Sequence, residues 1–347
     1  MLKITEVDVP GYERVVQGVD ETIGLYSTIA IHSTVLGPAL GGCRQYHYPG
    51  FLESFEDALA LGKAMTYKNS LAGLDLGGGK STIHLGCDNY SSEDALRSFG
   101  QLVQSLEGQY ITAGDVGTTK EDLAIIAQET EYCLGGSKKG GSGPATAYGV
   151  YQAMKAWAEW NELEIRDFDV AVSGVGKVGV PLIRLLLNNG AWVTAHDVDR
   201  YAITEFFLER PDFVIVPYDI REVPYQIYSP CAMGGFITQE FLDGIITPCA
   251  VIGGANNQLA DPELQYQLEK SMVDYVPDYL ANSGGVIITS AEKDGKYVDL
   301  DWKTPEVKAK IEEIYDRTKE VLERSAAEPL TTVEVCDMMA KERINAR

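Results

Sequence analysis

Two lysines and an aspartate have the types and spacing for acid–base chemistry. The segment MTYKNSLAGLDLGGGKST (65–82) holds Lys68 and Lys80, separated by an apolar, glycine-rich stretch. GGGKST invites a phosphate-loop reading, but that motif needs a glycine at position 74. Position 74 is Leu74 and Gly73 misses by one, so the phosphate loop is rejected. A lysine behind three glycines is ordinarily a solvated loop charge. Here the context is apolar, and the polar run TAGDVGTT (112–119), which carries Asp115, lies within reach of one fold.

A second centre is built from glycine. Gly174, Gly176 and Gly179 form GVGKVG, directly after the apolar run VAVS and ahead of a helical stretch. In such a turn the first glycine permits the bend and the second lets backbone approach a pyrophosphate. The third lets helix pack on strand. Phosphates would sit at the positive N-terminus of the helix, beside Lys177 and Val178. Asp197 ends the next strand, roughly twenty residues on, where a carboxylate can accept from ribose hydroxyls. A lone glycine pattern is weak, since flavin and methyl-donor proteins use similar turns. Strand, helix, spacing and terminal acid agree here, and the expected cofactor is NAD. A carboxylate at 197 repels a 2′-phosphate, although neighbouring His196 and Arg200 weigh the other way.

Both centres need elements to hold them. IGLYSTIAIHS (23–33) reads as a strand, and Ser54 as the cap of a helix carrying Phe55, Leu59, Gly62 and Met65 and ending near Lys68. A second helix, about Ser92 to Leu106, would bury Leu96, Phe99, Leu102 and Val103. LGGSKKGGSGPAT (134–146) reads as a loop or hinge and marks a domain boundary. A helix at 147–160 should follow, then strands alternating with helices, which imply a parallel, doubly wound sheet. Thr304-Pro305 should start a helix with Val307, Ile311, Ile314, Thr318 and Val321 on one face. Thr331 and Glu334 form a capping box for the last helix. The expected class is therefore α/β with two domains. An α/β domain spans 1–144, a Rossmann domain spans 145–324, and the C-terminal helices from about 325 return to the first.

Composition narrows the function. The 347 residues are 45% hydrophobic and 23% charged, an ordinary globular balance with length enough for two cores. A formal charge of −22 disfavours nucleic acid. No apolar run approaches the ~18–20 residues that span a bilayer, and the start lacks a signal-peptide core. The six cysteines are scattered without a CxxC pair, which fits reduced thiols. His32, His47, His84 and His196 lack ligand spacing, so no metal is expected, and the location should be cytoplasmic.

LGPALGGCR (36–44), MTYKN (65–69), LGGGKS (76–81), ITAGDVGTT (111–119), TAYGV (146–150), GVGKVG, SPCAMGG (229–235), GGANNQL (253–259) and PDYLANSGG (277–285) follow one another in a family's order. Over nearly the whole chain they resemble the leucine/phenylalanine/tryptophan branch of the Glu/Leu/Phe/Val dehydrogenase family. The resemblance implies a substrate domain and an NAD domain with a cleft that closes for hydride transfer, in a dimer or larger homo-oligomer. It implies that Lys68, helped by the Gly41-Gly42 backbone, binds the substrate carboxylate. Lys80 would be the general base, and Asp115 the proton-relay and ammonium-binding carboxylate. Thr146, Cys231, Ala232, Asn256 and Asn282 would hold the cofactor, and Asn257 the substrate. The side-chain pocket would be lined by Leu40, Ala113, Val286 and Thr289.

The chemistry implied is oxidative deamination of a small apolar L-amino acid to a 2-oxo acid and ammonium. A free lysine, pKa ~10.4, is a poor base near neutrality, and lowering it by ~3 units destabilises the ammonium by about 4 kcal/mol. Desolvation and a second ammonium push that way, while Asp115 opposes them. Lys177 replaces the asparagine usual in the family's glycine turn. Gly114 stands where leucine dehydrogenases carry Glu and Thr289 where they carry Val, and the loop before Thr146 is shortened. Leu40, Ala113 and Val286 favour leucine, valine or isoleucine; Thr289 and a pocket widened at Gly114 keep an aromatic or mildly polar substrate open. A non-catalytic NAD-binding sensor is the alternative from another class, but binding alone does not need a base.

Overall fold

The computed structural model describes residues 1–85, 91–135, 141–209, 214–244, 248–293 and 301–347. The chain is α/β and falls into two compact units. One comprises Met1–Lys139, Thr289–Leu300 and Ala340–Arg347, and the other Gly140–Ile288 and Asp301–Met339.

The first unit is built from β1 (Lys3–Glu6), β2 (Arg14–Asp20), β3 (Leu25–Ser33), β4 (Ala39–Tyr46), α1 (Phe51–Leu71), β5 (Gly77–His84), α2 (Glu93–Gln104), β6 (Tyr110–Gly114) and α3 (Lys120–Ile126). Its sheet runs β1-β2-β3-β5-β4-β6. The pairings β1–β2, β2–β3 and β3–β5 are antiparallel; β4 runs parallel to β5 and β6. Leu96, Phe99, Leu102 and Val103 of α2 pack with Val16, Ile29, Ile83 and Tyr110 on one face. On the other face Ala58 of α1 packs with Val15 and Ala30. Ser92 caps α2 by accepting from Ala95 N at 3.1 Å. Ser54 does not cap α1, which opens at Phe51 after Gly50. It lies one turn inside, buried, with its hydroxyl donated to Thr82 Oγ1 on β5 at 3.0 Å. The helix also runs past Lys68 to Leu71, because Ser70 and Leu71 still have a surface to bury against.

The second unit contains α4 (Ser142–Trp160), β7 (Asp169–Ser173), α5 (Gly179–Asn188), β8 (Trp192–His196), α6 (Tyr201–Glu209), β9 (Val214–Ile215), β10 (Ile227–Pro230) and α7 (Gln239–Gly244). β11 (Ala250–Val251), α8 (Leu264–Lys270), β12 (Asp274–Tyr275), α9 (Asp278–Ala281) and α10 (Gly284–Glu292) follow. The chain closes with α11 (Pro305–Ala327) and α12 (Thr332–Asn345). The sheet order is β12-β11-β10-β7-β8-β9, and every pairing is parallel. Strand order reverses between β7 and β10, the switch point where doubly wound sheets bind ligands at the carboxyl ends of their strands.

Helix α4 starts five residues earlier than the glycines and proline of 134–146 suggest. Ser142, Gly143 and Pro144 form its first turn, where N–H groups have no intrahelical acceptor and a proline costs little. Residues 136–140 lie outside the described residues. Pro305 opens α11, whose Val307, Ile311, Ile314, Thr318 and Val321 are all buried. The capping box is present: Thr331 N donates to Glu334 at 2.8 Å and Glu334 N to Thr331 Oγ1 at 3.2 Å. Only the last residues of α12 group with the first unit, not the segment from 325. There Ser70 Oγ donates to Ala340 O, and Arg343 to Leu74 O and Asp75. Earlier in α12, Asp337 accepts from Tyr279 of α9 at 2.7 Å, which holds it to the second unit. Of the six cysteines, Cys87 lies outside the described residues; the other five are free.

Candidate active site

The lysine–carboxylate centre forms where β4, β5 and β6 run side by side. Glycines make that approach possible. An added Cβ at Gly41 would stand 1.7 Å from Gly79 O, and one at Gly78 would stand 2.0 Å from Thr66 N of α1. Register pairs Leu40 with Gly78 and Ile111, and Gly42 with Ala113. Leu40, Gly42, Ala113 and Lys80 therefore share the sheet face that α1 covers. Leu40 and Ala113 are buried there, and so is Lys80.

Lys80 Nζ lies 3.0 Å from Asp115 Oδ2. The same oxygen accepts from Arg44 Nε at 3.0 Å, and Arg44 Nη1 reaches Asp57 Oδ2 at 3.1 Å. Tyr48 donates to that Asp57 oxygen at 2.6 Å. Burial alone would raise the Asp115 carboxyl, but the charges of Lys80 and Arg44 outweigh it and hold it below the usual carboxylate range. Burial pushes the Cys43 thiol up to about 12, so it offers no thiolate at this site.

Lys68 sits half-buried in the last turn of α1. Its neighbour Asn69 donates to Gly77 O at 2.6 Å and Leu40 O at 3.2 Å, which ties that turn to β4 and β5. Sequence reasoning missed Arg44, Tyr48, Asp57 and Asn69. The available signal was an arginine at the end of an apolar, glycine-rich strand, in step with Leu40 and Gly42. Gly114 does not widen the face carrying Ala113. It pairs with Cys43 and its added Cβ would meet Leu123, in the core on the opposite side.

The glycine turn joins β7 to α5. Gly174 has φ 102, and a Cβ there would stand 2.7 Å from Ala232 N. At Gly179 a Cβ would stand 1.9 Å from Gly174 O, so the helix rests on the turn; Gly176 faces open space. No side chain caps α5; Pro181 has no N–H and Val180 N donates to Gly176 O at 3.0 Å, so an anion there would meet the N–H groups of residues 176–179, which include exposed Lys177 and the N-cap Val178. Cys231 N donates to Ser173 O at 2.7 Å, which brings Cys231 and exposed Ala232 beside the turn. Asp197 accepts from Val175 N at 2.6 Å and from Asp199 N at 2.9 Å. Arg200 is engaged elsewhere, donating to Pro217 O and lying over the Tyr218 ring.

Asn282 is 2% exposed and donates to Asn256 Oδ1 at 2.8 Å. Its own Oδ1 is buried without a partner among the described residues. An orphaned buried acceptor suits a carboxamide donor such as that of nicotinamide. Thr146, buried on α4, donates to Ser142 O at 2.9 Å. Asn257 is exposed with φ 51, and its N–H donates to Asp278 at 3.0 Å. Val286 is buried on α10, and Thr289 lies half-buried one turn further along that helix. These residues fit a dinucleotide: a glycine turn at a helix N-terminus, an acid at the next strand end and an unsatisfied buried carboxamide oxygen.

Residues 15–132 match the family model described as Glu/Leu/Phe/Val dehydrogenase, dimerisation domain. Residues 194–346 match that of Glutamate/Leucine/Phenylalanine/Valine dehydrogenase. The chain is 40% identical over 347 residues to a valine dehydrogenase of Streptomyces coelicolor, covering 97% of this chain and 93% of that protein. It is 40% identical over 339 residues to a leucine dehydrogenase of Geobacillus stearothermophilus, covering 96% and 90%. The crystal structure of L-tryptophan dehydrogenase from Nostoc punctiforme, 32% identical, superposes with a TM-score of 0.84 over 97% of this chain and 96% of that one. Fold and likeness together define an amino-acid dehydrogenase, an oxidoreductase acting on CH–NH2. The chain belongs to the Glu/Leu/Phe/Val dehydrogenase family, whose enzymes depend on NAD(P). Among the described residues no helix is long and apolar enough to cross a membrane.

Proposed function

We propose that the protein catalyses the reversible, NAD-dependent oxidative deamination of leucine, valine or a similar L-amino acid to the 2-oxo acid and ammonium. The observation that carries this reading is the Lys80–Asp115 pair, 3.0 Å apart, on the sheet face that also holds Leu40 and Ala113. The first unit is then the substrate domain and the second the cofactor domain. Bound NAD supplies the acceptor for the hydride that leaves Cα. The α5 N-terminus and the Gly174–Gly179 turn, with Lys177 and Val178, hold the pyrophosphate. Asp197 accepts from the ribose, and Asn282 Oδ1 accepts from the carboxamide. Thr146, Cys231, Ala232 and Asn256 complete the cofactor's surroundings.

Lys68 and the Gly41-Gly42 backbone hold the substrate carboxylate, and Asn257 orients the substrate. Lys80 removes the proton from the water that attacks the iminium carbon. Asp115 relays that proton and holds the ammonium product. Leu40, Ala113, Val286 and Thr289 contact the side chain. A γ-carboxylate against Leu40 would be buried without a partner, which disfavours glutamate. The position of Gly114, on the other side of β6, favours an aliphatic over an aromatic side chain. A homo-oligomer is part of the proposal, since residues 15–132 match a domain described by dimerisation.

The test is kcat/KM for leucine, valine, phenylalanine, tryptophan and glutamate, followed through the absorbance of the reduced cofactor. Leucine or valine should lead. Glutamate in first place would overturn the pocket assignment, and no reduction with any amino acid would overturn the reaction.

A further inference from the structure

We propose that Arg44 is a positioning residue for the proposed base. It claims a share of one Asp115 oxygen, so that Lys80 does not hold the carboxylate alone and the other oxygen stays available for proton transfer. The geometry is specific. Oδ2 of Asp115 receives both Lys80 Nζ and Arg44 Nε at 3.0 Å. Oδ1 takes no hydrogen bond from the described residues. The guanidinium is in turn held from behind, with Nη1 on Asp57 at 3.1 Å and Tyr48 bracing Asp57 at 2.6 Å. Anchored on α1 in this way, Arg44 cannot swing to cover both Asp115 oxygens.

Arginine suits this task because it remains protonated throughout the working range, whereas a lysine could lose its charge. Asp115 is faced by Lys80 from β5 and Arg44 from β4, while Cys43 and Tyr110 feel its charge from the opposite face of the sheet. Tyr48 and Asp57 stand behind Arg44. Burial keeps the Cys43 thiol and the Tyr110 and Tyr48 phenols neutral. The cluster therefore contains two cations and two carboxylates. Removing Arg44 takes away a cation that repels the Lys80 ammonium and leaves the whole Asp115 charge to stabilise it.

The inference rests on the proposed role of Lys80, so the wild-type enzyme is measured first. Wild-type protein that oxidises no amino acid would sink both. With an active wild type, Arg44→Ala, Arg44→Lys and Asp57→Asn are compared through pH profiles of kcat/KM, with NAD binding and thermal melting as checks of folding. Arg44→Ala should lose roughly 10²-fold in kcat, of the size of a mispositioned proton-transfer group. The acid limb of its profile should move up by about one pH unit, and added guanidinium should restore part of the rate. Arg44→Lys should keep more activity than Arg44→Ala. Asp57→Asn should move the limb in the same direction but less, because it loosens the guanidinium without removing it. A folded, NAD-binding Arg44→Ala with the wild-type acid limb would overturn the inference. If that variant does not fold, an unmoved limb in both Arg44→Lys and Asp57→Asn would do the same.

Discussion

The two sites use opposite materials. The Lys80 centre is made of charged side chains, buried (Lys80) or half-buried (Arg44, Asp115) and drawn from segments far apart in the chain. The turn after β7 is made mainly of backbone, and Gly176 and Lys177 at its tip are exposed. Glycine is needed in both for different reasons. Around Lys80 it lets strands and α1 come close enough to hold charges together. At Gly174 and Gly176 it shapes the backbone that is proposed to bind the cofactor. Substitutions in the first site should therefore change chemistry, and those in the second should change affinity.

The largest effect should come from Lys80→Ala. Loss of a positioned base typically removes ~10²–10⁴-fold in rate, while NAD binding, measured by fluorescence titration, should stay near wild type. A variant keeping a tenth of the wild-type rate would remove Lys80 from the role. Lys68→Ala should act on KM instead. Losing a charge-assisted hydrogen bond costs about 1.5–3 kcal/mol, or roughly 10–100-fold in amino-acid KM. An unchanged KM would contradict that assignment.

The contrast also explains what could be read in advance. The turn was legible because its signal is local: a strand, three glycines at fixed spacing, a helix and an acid on the next strand end. The stripe on α11 and the Thr331–Glu334 capping box were legible for the same reason. The partners of Asp115 were only half legible. The resemblance pointed to Lys80, but Arg44, Asp57 and Tyr48 meet it through register and helix packing that no local pattern records. Ser54 misled because a hydroxyl that can cap a helix can equally bond a neighbouring strand. The start of α4 was missed because glycine, serine and proline suit a first helical turn as well as a loop.

Two substitutions probe the materials directly. Asp115→Asn leaves buried Lys80 and half-buried Arg44 around a neutral group; breaking a fully buried pair typically costs ~3–5 kcal/mol at neutral pH, an upper bound here. The folded Asp115 carboxyl titrates below the ~3.9 of an unfolded chain. Its contribution is therefore complete above about pH 4 and fades as pH falls through the lower folded value. Denaturant unfolding at a series of acid pH values should show a steeper loss in wild type than in Asp115→Asn; equal slopes would place the titration elsewhere. In the turn, Gly174→Ala forces a side chain to φ 102 against Ala232 N. Strain of this kind costs on the order of 1–3 kcal/mol, and it should appear as weaker NAD binding with amino-acid KM unchanged. Amino-acid KM rising as much as NAD KM would show that the two sites are not separable.

The smallest effect expected is at Asp197, where backbone and charge meet. Its carboxylate accepts from Val175 N and Asp199 N, so it braces the glycine turn in addition to its proposed role at the ribose. Asp197→Ala should weaken both cofactors through the turn and NAD further through the lost ribose acceptor. The preference of NAD over NADP, measured as the ratio of kcat/KM values, should narrow by about tenfold, equivalent to ~1.4 kcal/mol. Reversal is not expected, because Arg200 already donates to Pro217 O and lies over Tyr218. Asp197→Asn separates the two effects: it keeps an oxygen for Val175 N–H and removes the charge that repels a 2′-phosphate. It should bind NAD more tightly than Asp197→Ala yet show a similarly narrowed ratio. If it keeps the wild-type ratio, charge is not what discriminates the cofactors, and the role of Asp197 is to hold the turn.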